Sequence, residues 1–259
     1  MAGADLYYEV EGQGPAVVLV HGFTLDARMW DEQVPALRDI ATVVRFDLRG
    51  FGRSSEPAPG VAYSHSADVL ALLDHLNVEK AVLVGLSMGG LVVLHTALVA
   101  PQRVRGLVLL DTVLDRFAWD DGSRLAMVAT ELAATTDGVS AAKDLWLAHP
   151  LFAPARRDRA LAARLAMLVE PYSGFHWTHA DPCEPLYPSP HAELEQVATP
   201  TTVVVGELDV PCFRAMAGEI SRRVPRARSI TIANAGHMVN LEAVAEVNAL
   251  LRTAVLAVA

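Results

Sequence analysis

The stretch KAVLVGLSMGGLVVLHTALVAPQRVRGLVLLD, Lys80 to Asp111, decides how the rest of the chain is read. An apolar run, Ala81 to Val84, leads into Gly85-Leu86-Ser87-Met88-Gly89-Gly90, and a second apolar run with helical potential follows at once. One serine stands at the junction of two buried elements, fenced on both sides by glycine. A strand ending in Gly-x-Ser-x-Gly and turning straight into a helix has a mechanical purpose: the turn is sharp enough to strain the serine and lift its hydroxyl clear of a sheet. Glycine is expected two residues before and two after, because a Cβ there would strike the neighbouring strand and helix. The same turn aims the helix N-terminus, with its unpaired N–H groups, at one spot.

Outward from this turn, strand-like and helix-like segments alternate, the signature of a parallel sheet with helical crossovers. The expected strands are Leu6–Glu9, Ala16–His21, Thr42–Phe46, Ala81–Gly85, Val104–Leu110, Thr202–Gly206 and Ser229–Ile232. Most are short valine-rich runs, as suits strands covered on both faces. Helices are expected near Trp30–Arg38, Ser66–Leu76, Met88–Ala100, Phe213–Val224 and Leu241–Val258. Between Thr112 and Val197 the alternation stops, and helix follows helix around Leu125–Ala134, Ala141–Ala148 and Arg159–Val169. This span, 112–197, reads as a helical lid inserted between the two parts of one core domain, 1–111 and 198–259.

Composition narrows the function. The 259 residues suit one α/β domain with an insertion, and 52% of them are hydrophobic, enough for a large core. A formal charge of -9 leaves no basic excess for nucleic acid. No apolar run is long enough to cross a bilayer, and MAGADLYYEVEG has no basic start before an apolar stretch, so neither a membrane partner nor a secretory signal is expected. Two cysteines, Cys183 and Cys212, do not make a disulfide framework, which points to the cytoplasm.

A serine hydroxyl needs a neighbouring base, and the base needs an orienting acid. Asp209, in TTVVVGELDVP, and His237, in SITIANAGHMVNLE, each follow an apolar strand, in the chain order Ser, acid, His. All three residues therefore fall at the carboxyl edge of the sheet, where open α/β folds bind ligands. Asp111 also ends a strand there and is the competing acid; it is expected instead to cap the first lid helix. Asp47 and Arg49 read as a structural turn and ion pair, His21 as an organiser of its loop, and His95 as a core or flank histidine. His176, His179, Cys183 and His191 raise the question of zinc, but prolines intervene and no second tight pair is present, so no metal is expected.

With VVLVHGF (Val17–Phe23), FDLRGFGRSS (Phe46–Ser55), GLSMGG, GELD (Gly206–Asp209) and AGHMVNLE (Ala235–Glu242) assembled, the chain resembles an α/β-hydrolase-fold enzyme over nearly its whole length. The resemblance implies a mostly parallel eight-stranded sheet with a lid after the sixth strand, and an oxyanion hole from the backbone N–H groups of Phe23 and Met88. It implies a serine esterase, with lactones as a further possibility, that works without cofactor through Ser87, Asp209 and His237, and the apolar lid suggests a small apolar, uncharged ester as substrate. A ligand-binding or signalling protein of slow turnover, a cofactor-free perhydrolase and a C–C bond hydrolase are the alternatives. Ser87 argues against the relatives that use aspartate at the turn. Met238 stands where C–C hydrolases often carry tryptophan, Met88 where proline iminopeptidases favour tryptophan, and Leu91 where the menaquinone-pathway lyase has arginine.

Overall fold

The structure, a computed structural model, describes residues 4–257. Seven strands form one sheet: β1 (Tyr8–Glu11), β2 (Ala16–Val20), β3 (Thr42–Phe46), β4 (Ala81–Leu86), β5 (Val104–Leu110), β6 (Thr201–Gly206) and β7 (Ala227–Ile232). The spatial order is β1-β3-β2-β4-β5-β6-β7, with β1 antiparallel to β3 and every other pair parallel. The valine-rich runs occupy the centre. Every residue of β2 is buried, and so is every residue of β4, because helices cover both sheet faces. The sheet has seven strands among the described residues rather than eight, and the helical insertion follows the fifth of them.

The helices are α1 (Val34–Leu37), α2 (His65–His75), α3 (Met88–Val99), α4 (Asp121–Thr136), α5 (Val139–Ala148), α6 (Arg159–Val169), α7 (Phe175–Thr178), α8 (Pro211–Arg223), α9 (Val239–Glu242) and α10 (Val244–Leu256). Two expected helices are broken. The first becomes a 3-10 turn, Ala27–Trp30, and the short α1, which starts beside Pro35. The last is split at Ala243, whose φ of -134° and ψ of 56° are not helical; its expected end, Val258, lies outside the described residues. Helices α4 to α7 lie in the chain between β5 and β6. Asp120 caps α4 by accepting from Ser123 N–H, and Asp158 caps α6. Asp111 therefore does not cap the first helix of the insertion.

Strand order positions the functional edge. The chain passes from β2 outward to β3 and then back across to β4, so β2 lies between them and the loops leaving β2 and β4 face each other across a topological switch point. Val20 pairs with Gly85 at the end of that ladder, which brings the His21-Gly22-Phe23 loop beside the Ser87 turn. His21 organises its loop as expected. Leu48 N–H donates to Nε2 at 2.9 Å, and Nδ1 therefore donates to Gly22 O at 2.8 Å, joining the exits of β2 and β3. His95 is buried and bonded to Ser66 Oγ, a packing role.

Asp47 and Arg49 do not pair with one another. Asp47 accepts from the backbone N–H of Ala27 (2.7 Å) and Arg53 (2.8 Å), clamping the loop after β3. Arg49 makes a two-pronged pair with Asp68 of α2, Nε–Oδ2 3.0 Å and Nη2–Oδ1 2.6 Å, with both side chains nearly inaccessible. Removing one partner of a buried pair typically costs about 3–5 kcal/mol. Asp68→Ala is thus expected to lower unfolding stability by about that amount in urea titration; a change below about 1 kcal/mol would show that Arg49 finds another anion.

Candidate active site

Ser87 sits between β4 and α3 with φ 54° and ψ -114°, a conformation L-residues avoid. The glycine requirement has a measured cause at each position. A Cβ on Gly85 would lie 2.2 Å from Gly89 O, one on Gly89 2.2 Å from Val20 O, and one on Gly90 2.0 Å from Thr112 Oγ1. The first two contacts are with backbone, which cannot step aside. Ser87 N–H donates to Leu110 O at 2.9 Å, anchoring the turn to the end of β5.

His237 follows β7 in a loop that Glu242 holds from within. The Glu242 carboxylate accepts from Gly236 N–H (2.8 Å) and Met238 N–H (3.0 Å), bracketing the histidine on both sides. The ring lies edge-on to Phe213 of α8, centroids 4.4 Å apart. Its Nδ1 is 2.9 Å from Asp209 Oδ2, and both residues are buried. Asp209, on the turn after β6, also receives Val210 N–H on Oδ1 at 2.7 Å. Two directed bonds thus fix the carboxylate, and the carboxylate fixes the ring.

Asp111 lies close behind. It is wholly buried, has φ 42°, and its Oδ1 accepts Gly206 N–H at 2.8 Å while Oδ2 has no hydrogen-bond partner. One ligand atom each of Asp111, Asp209 and His237 falls within 4.8 Å of the others. Burial, and then the neighbouring Asp209 carboxylate, push the Asp111 carboxyl well above the usual range. Nδ1 of His237 is bonded to Asp209, so the structure joins the histidine to the later acid. His176, His179, Cys183 and His191 do not form such a cluster among the described residues. His176 and His179 bond instead to Tyr172 and Thr178.

Ser87, His237, Phe23 and Met88 line a single cavity of about 410 Å³, within the size range of small-molecule sites. The insertion supplies much of its wall, including Trp119, Met127, Trp146, Leu151, Phe152 and His176. The aromatic residues of the insertion are therefore sorted: Trp119, Trp146 and Phe152 face the cavity, while Phe117, Tyr172, Phe175 and Trp177 pack behind it or beside it. Glu131 and Asp181 are the acidic lining residues, and no lysine or arginine lines it among the described residues. Sequence reading missed Met127 and Glu131. Their four-residue spacing on α4 puts them on one helix face, a usable signal once that face is known to meet a cavity.

Helix α5 is tied to the β2 exit by one polar chain. Trp146 Nε1 donates to Thr24 Oγ1 at 2.6 Å, and Thr24 Oγ1 donates to Phe23 O at 2.6 Å. Neither Phe23 N–H nor Met88 N–H takes part in the backbone hydrogen bonds of loops and caps among the described residues.

A raised carboxyl in the fold makes a definite pH prediction. The folded chain holds the Asp111 proton more tightly than the unfolded chain does, so its contribution to stability is full at acid pH. That contribution is lost as pH climbs from the ordinary carboxylate range through the raised folded value. Asp111→Asn keeps an acceptor for Gly206 N–H and stays neutral throughout. Its stability relative to the parent chain should therefore grow with pH across that window, measured by urea unfolding at a series of pH values. A difference that does not change with pH would mean Asp111 is not held neutral.

The profile of the alpha/beta hydrolase fold family matches residues 15–244. A lipase, LipV, of Mycobacterium tuberculosis is 30% identical over 264 residues, covering 96% of this chain and 97% of its own. The 2-succinyl-6-hydroxy-2,4-cyclohexadiene-1-carboxylate synthase assigned in Bacillus subtilis is 29% identical, covering 91% and 89%. Among solved structures, the enol-lactonase of Burkholderia xenovorans LB400 superposes with a TM-score of 0.81 at 25% identity, covering 96% of this chain and 95% of its own. Sheet order, the strained Ser87 turn and these matches agree: the chain belongs to the alpha/beta hydrolase fold family.

Proposed function

We propose that the protein is a serine hydrolase that cleaves carboxylic esters, lactones included, through Ser87, His237 and Asp209. The observation that carries this reading is the strained serine sharing one cavity with a histidine whose Nδ1 is held by a buried carboxylate. With Nδ1–H given to Asp209, Nε2 of His237 is the free lone pair. It takes the proton from Ser87 Oγ as that oxygen attacks the substrate carbonyl. Asp209 holds the tautomer and steadies the imidazolium that forms. The tetrahedral oxyanion rests on Phe23 N–H and Met88 N–H, the second at the positive end of α3. His237 then protonates the leaving alcohol, an acyl-enzyme remains on Ser87, and a water activated by the same ring releases the acid.

Helices α4 to α7, in the span 112–197, act as the lid of this site. Their aromatic lining supports an apolar substrate, and the lack of a lining lysine or arginine among the described residues supports an uncharged one. A carboxylate of the kind named for the Bacillus relative would enter beside Glu131 and Asp181 with no cation to meet it. The lipase and the enol-lactonase among the similar proteins support ester and lactone chemistry. Two free cysteines, Cys183 and Cys212, support a cytoplasmic location.

The test is steady-state hydrolysis of short p-nitrophenyl esters. Ser87→Ala should lower kcat by several orders of magnitude, and Asp209→Asn by about ten-thousandfold through loss of the required tautomer. Asp111→Asn should lose far less. Turnover that survives in Ser87→Ala would displace the nucleophile, and a larger loss in Asp111→Asn than in Asp209→Asn would exchange the two acids. Wild-type protein that binds esters but releases a single equivalent of product would favour a ligand-binding role.

A further inference from the structure

One cavity-lining residue, His176, has a buried ring nitrogen, Nε2, with no hydrogen-bond partner among the described residues, and its side chain is 10% exposed. Its other nitrogen is committed. Tyr172 OH accepts from His176 backbone N–H at 3.0 Å and so has its own hydrogen to give to Nδ1, also 3.0 Å away. Taking Nδ1 as the acceptor of that hydrogen leaves the imidazole hydrogen on Nε2. The ring is stacked on Phe51, centroids 4.5 Å apart and planes 14° from parallel. It fits there because residue 50 is glycine, where a Cβ would lie 2.7 Å from His176 Cε1. Burial holds the imidazole below its ordinary range, so it presents a neutral N–H.

Beside this donor stands an acceptor. Asp181, also on the cavity lining, has Oδ2 3.7 Å from His176 Nε2, too far for a direct hydrogen bond. Its Oδ1 is taken by Tyr63 OH at 3.0 Å and Cys183 N–H at 3.1 Å, so Oδ2 is the oxygen left for a ligand. A donor and an acceptor at this spacing can be bridged by one oxygen roughly 2.8 Å from each. That oxygen must accept from Nε2–H and donate to Oδ2. A hydroxyl does both. A carbonyl satisfies His176 but turns lone pairs toward Asp181, and a carboxylate is repelled outright. An ammonium satisfies Asp181 but confronts the Nε2 hydrogen. A secondary amide carries its C=O and N–H on opposite sides and cannot meet both from one place.

We propose that His176 and Asp181 form a hydroxyl-recognition subsite, so that the preferred substrate is an apolar, uncharged ester or lactone bearing a hydroxyl group apart from the bond that is cleaved. This rests on the hydrolase reading above. The subsite selects among substrates of the same cavity, and it does so through binding of a group that does not react.

Ethyl hexanoate, and its analogues with a hydroxyl or an oxo group at carbon 3, 4 or 5, are compared by pH-stat for wild type, His176→Phe, Asp181→Asn and Ser87→Ala. At one carbon the wild type should favour the hydroxy ester over the unsubstituted one by about tenfold or more in kcat/KM, chiefly through KM. His176→Phe should lose that preference. Asp181→Asn makes the sharper prediction. Its carbonyl stays with Tyr63 and Cys183, so its NH2 takes the place of Oδ2 and the subsite becomes two donors. Preference should then pass from the hydroxy to the oxo ester, an inversion that loosened packing cannot produce. Because Asp181 is partly exposed, this variant also serves if His176→Phe folds poorly. Ser87-dependent hydrolysis with no hydroxyl preference at any carbon, or a preference unchanged in both variants, overturns the subsite and leaves the hydrolase reading standing. Hydrolysis that is absent in the wild type, or that persists in Ser87→Ala, overturns the hydrolase reading and the subsite with it.

Discussion

The backbone of Ser87 is the constraint on which the rest of the molecule depends. A φ of 54° with ψ -114° costs on the order of 1–3 kcal/mol and persists only where the surroundings leave no alternative. Here the surroundings are the sheet itself. Gly89 is pressed onto the carbonyls of Val20 and His21 at the end of β2, and Gly90 onto Thr112, where the insertion begins. The pairing of β2 with β4 that strains the serine also brings the Phe23 loop beside it. Strain, cavity and strand order are one arrangement seen from three sides.

Two histidines line the cavity, and in the proposed reading their hydrogens are placed oppositely according to what each Nδ1 meets. His237 meets a carboxylate, which can only accept, and so keeps its hydrogen on Nδ1. His176 meets a tyrosine hydroxyl already receiving a backbone N–H, and in the proposed subsite that hydroxyl donates to Nδ1 and leaves the hydrogen on Nε2. In the proposed reading one ring thus offers a lone pair and the other a donor. The difference lies in partners supplied by the turn after β6 and by the loop before α7, not in the imidazoles.

The sheet was legible because its central strands are continuous valine-rich runs buried on both faces, and the Ser87 turn because a Cβ on any of its glycines would collide. Asp209 and His237 were legible from their places after β6 and β7. What escaped was relational. Arg49 was expected in an ion pair, but its partner, Asp68, lies on a helix that local sequence does not bring to it. Asp111 was expected to cap a helix; Asp120 takes that role because it stands immediately before the helical run, while Asp111 turns into the sheet edge to meet Gly206. His176 drew attention only as one of several metal-like residues. Its setting depends on Gly50, Phe51 and Tyr172 at once, and no spacing along the chain announces that.

The bond from Trp146 to Thr24, continued from Thr24 to the Phe23 carbonyl, links α5 to the loop whose Phe23 N–H is proposed above as one of two oxyanion donors. Access and readiness are therefore set by the same joint. If α5 swings outward to admit a molecule, it must first let go of Thr24, whose φ of 63° is itself unfavourable without support, and the amide beside it slackens. On the proposed mechanism, a molecule only halfway inside would meet Ser87 but a poorly aimed Phe23 N–H. Full enclosure would restore the aim, so that reaction would wait for the guest to be seated.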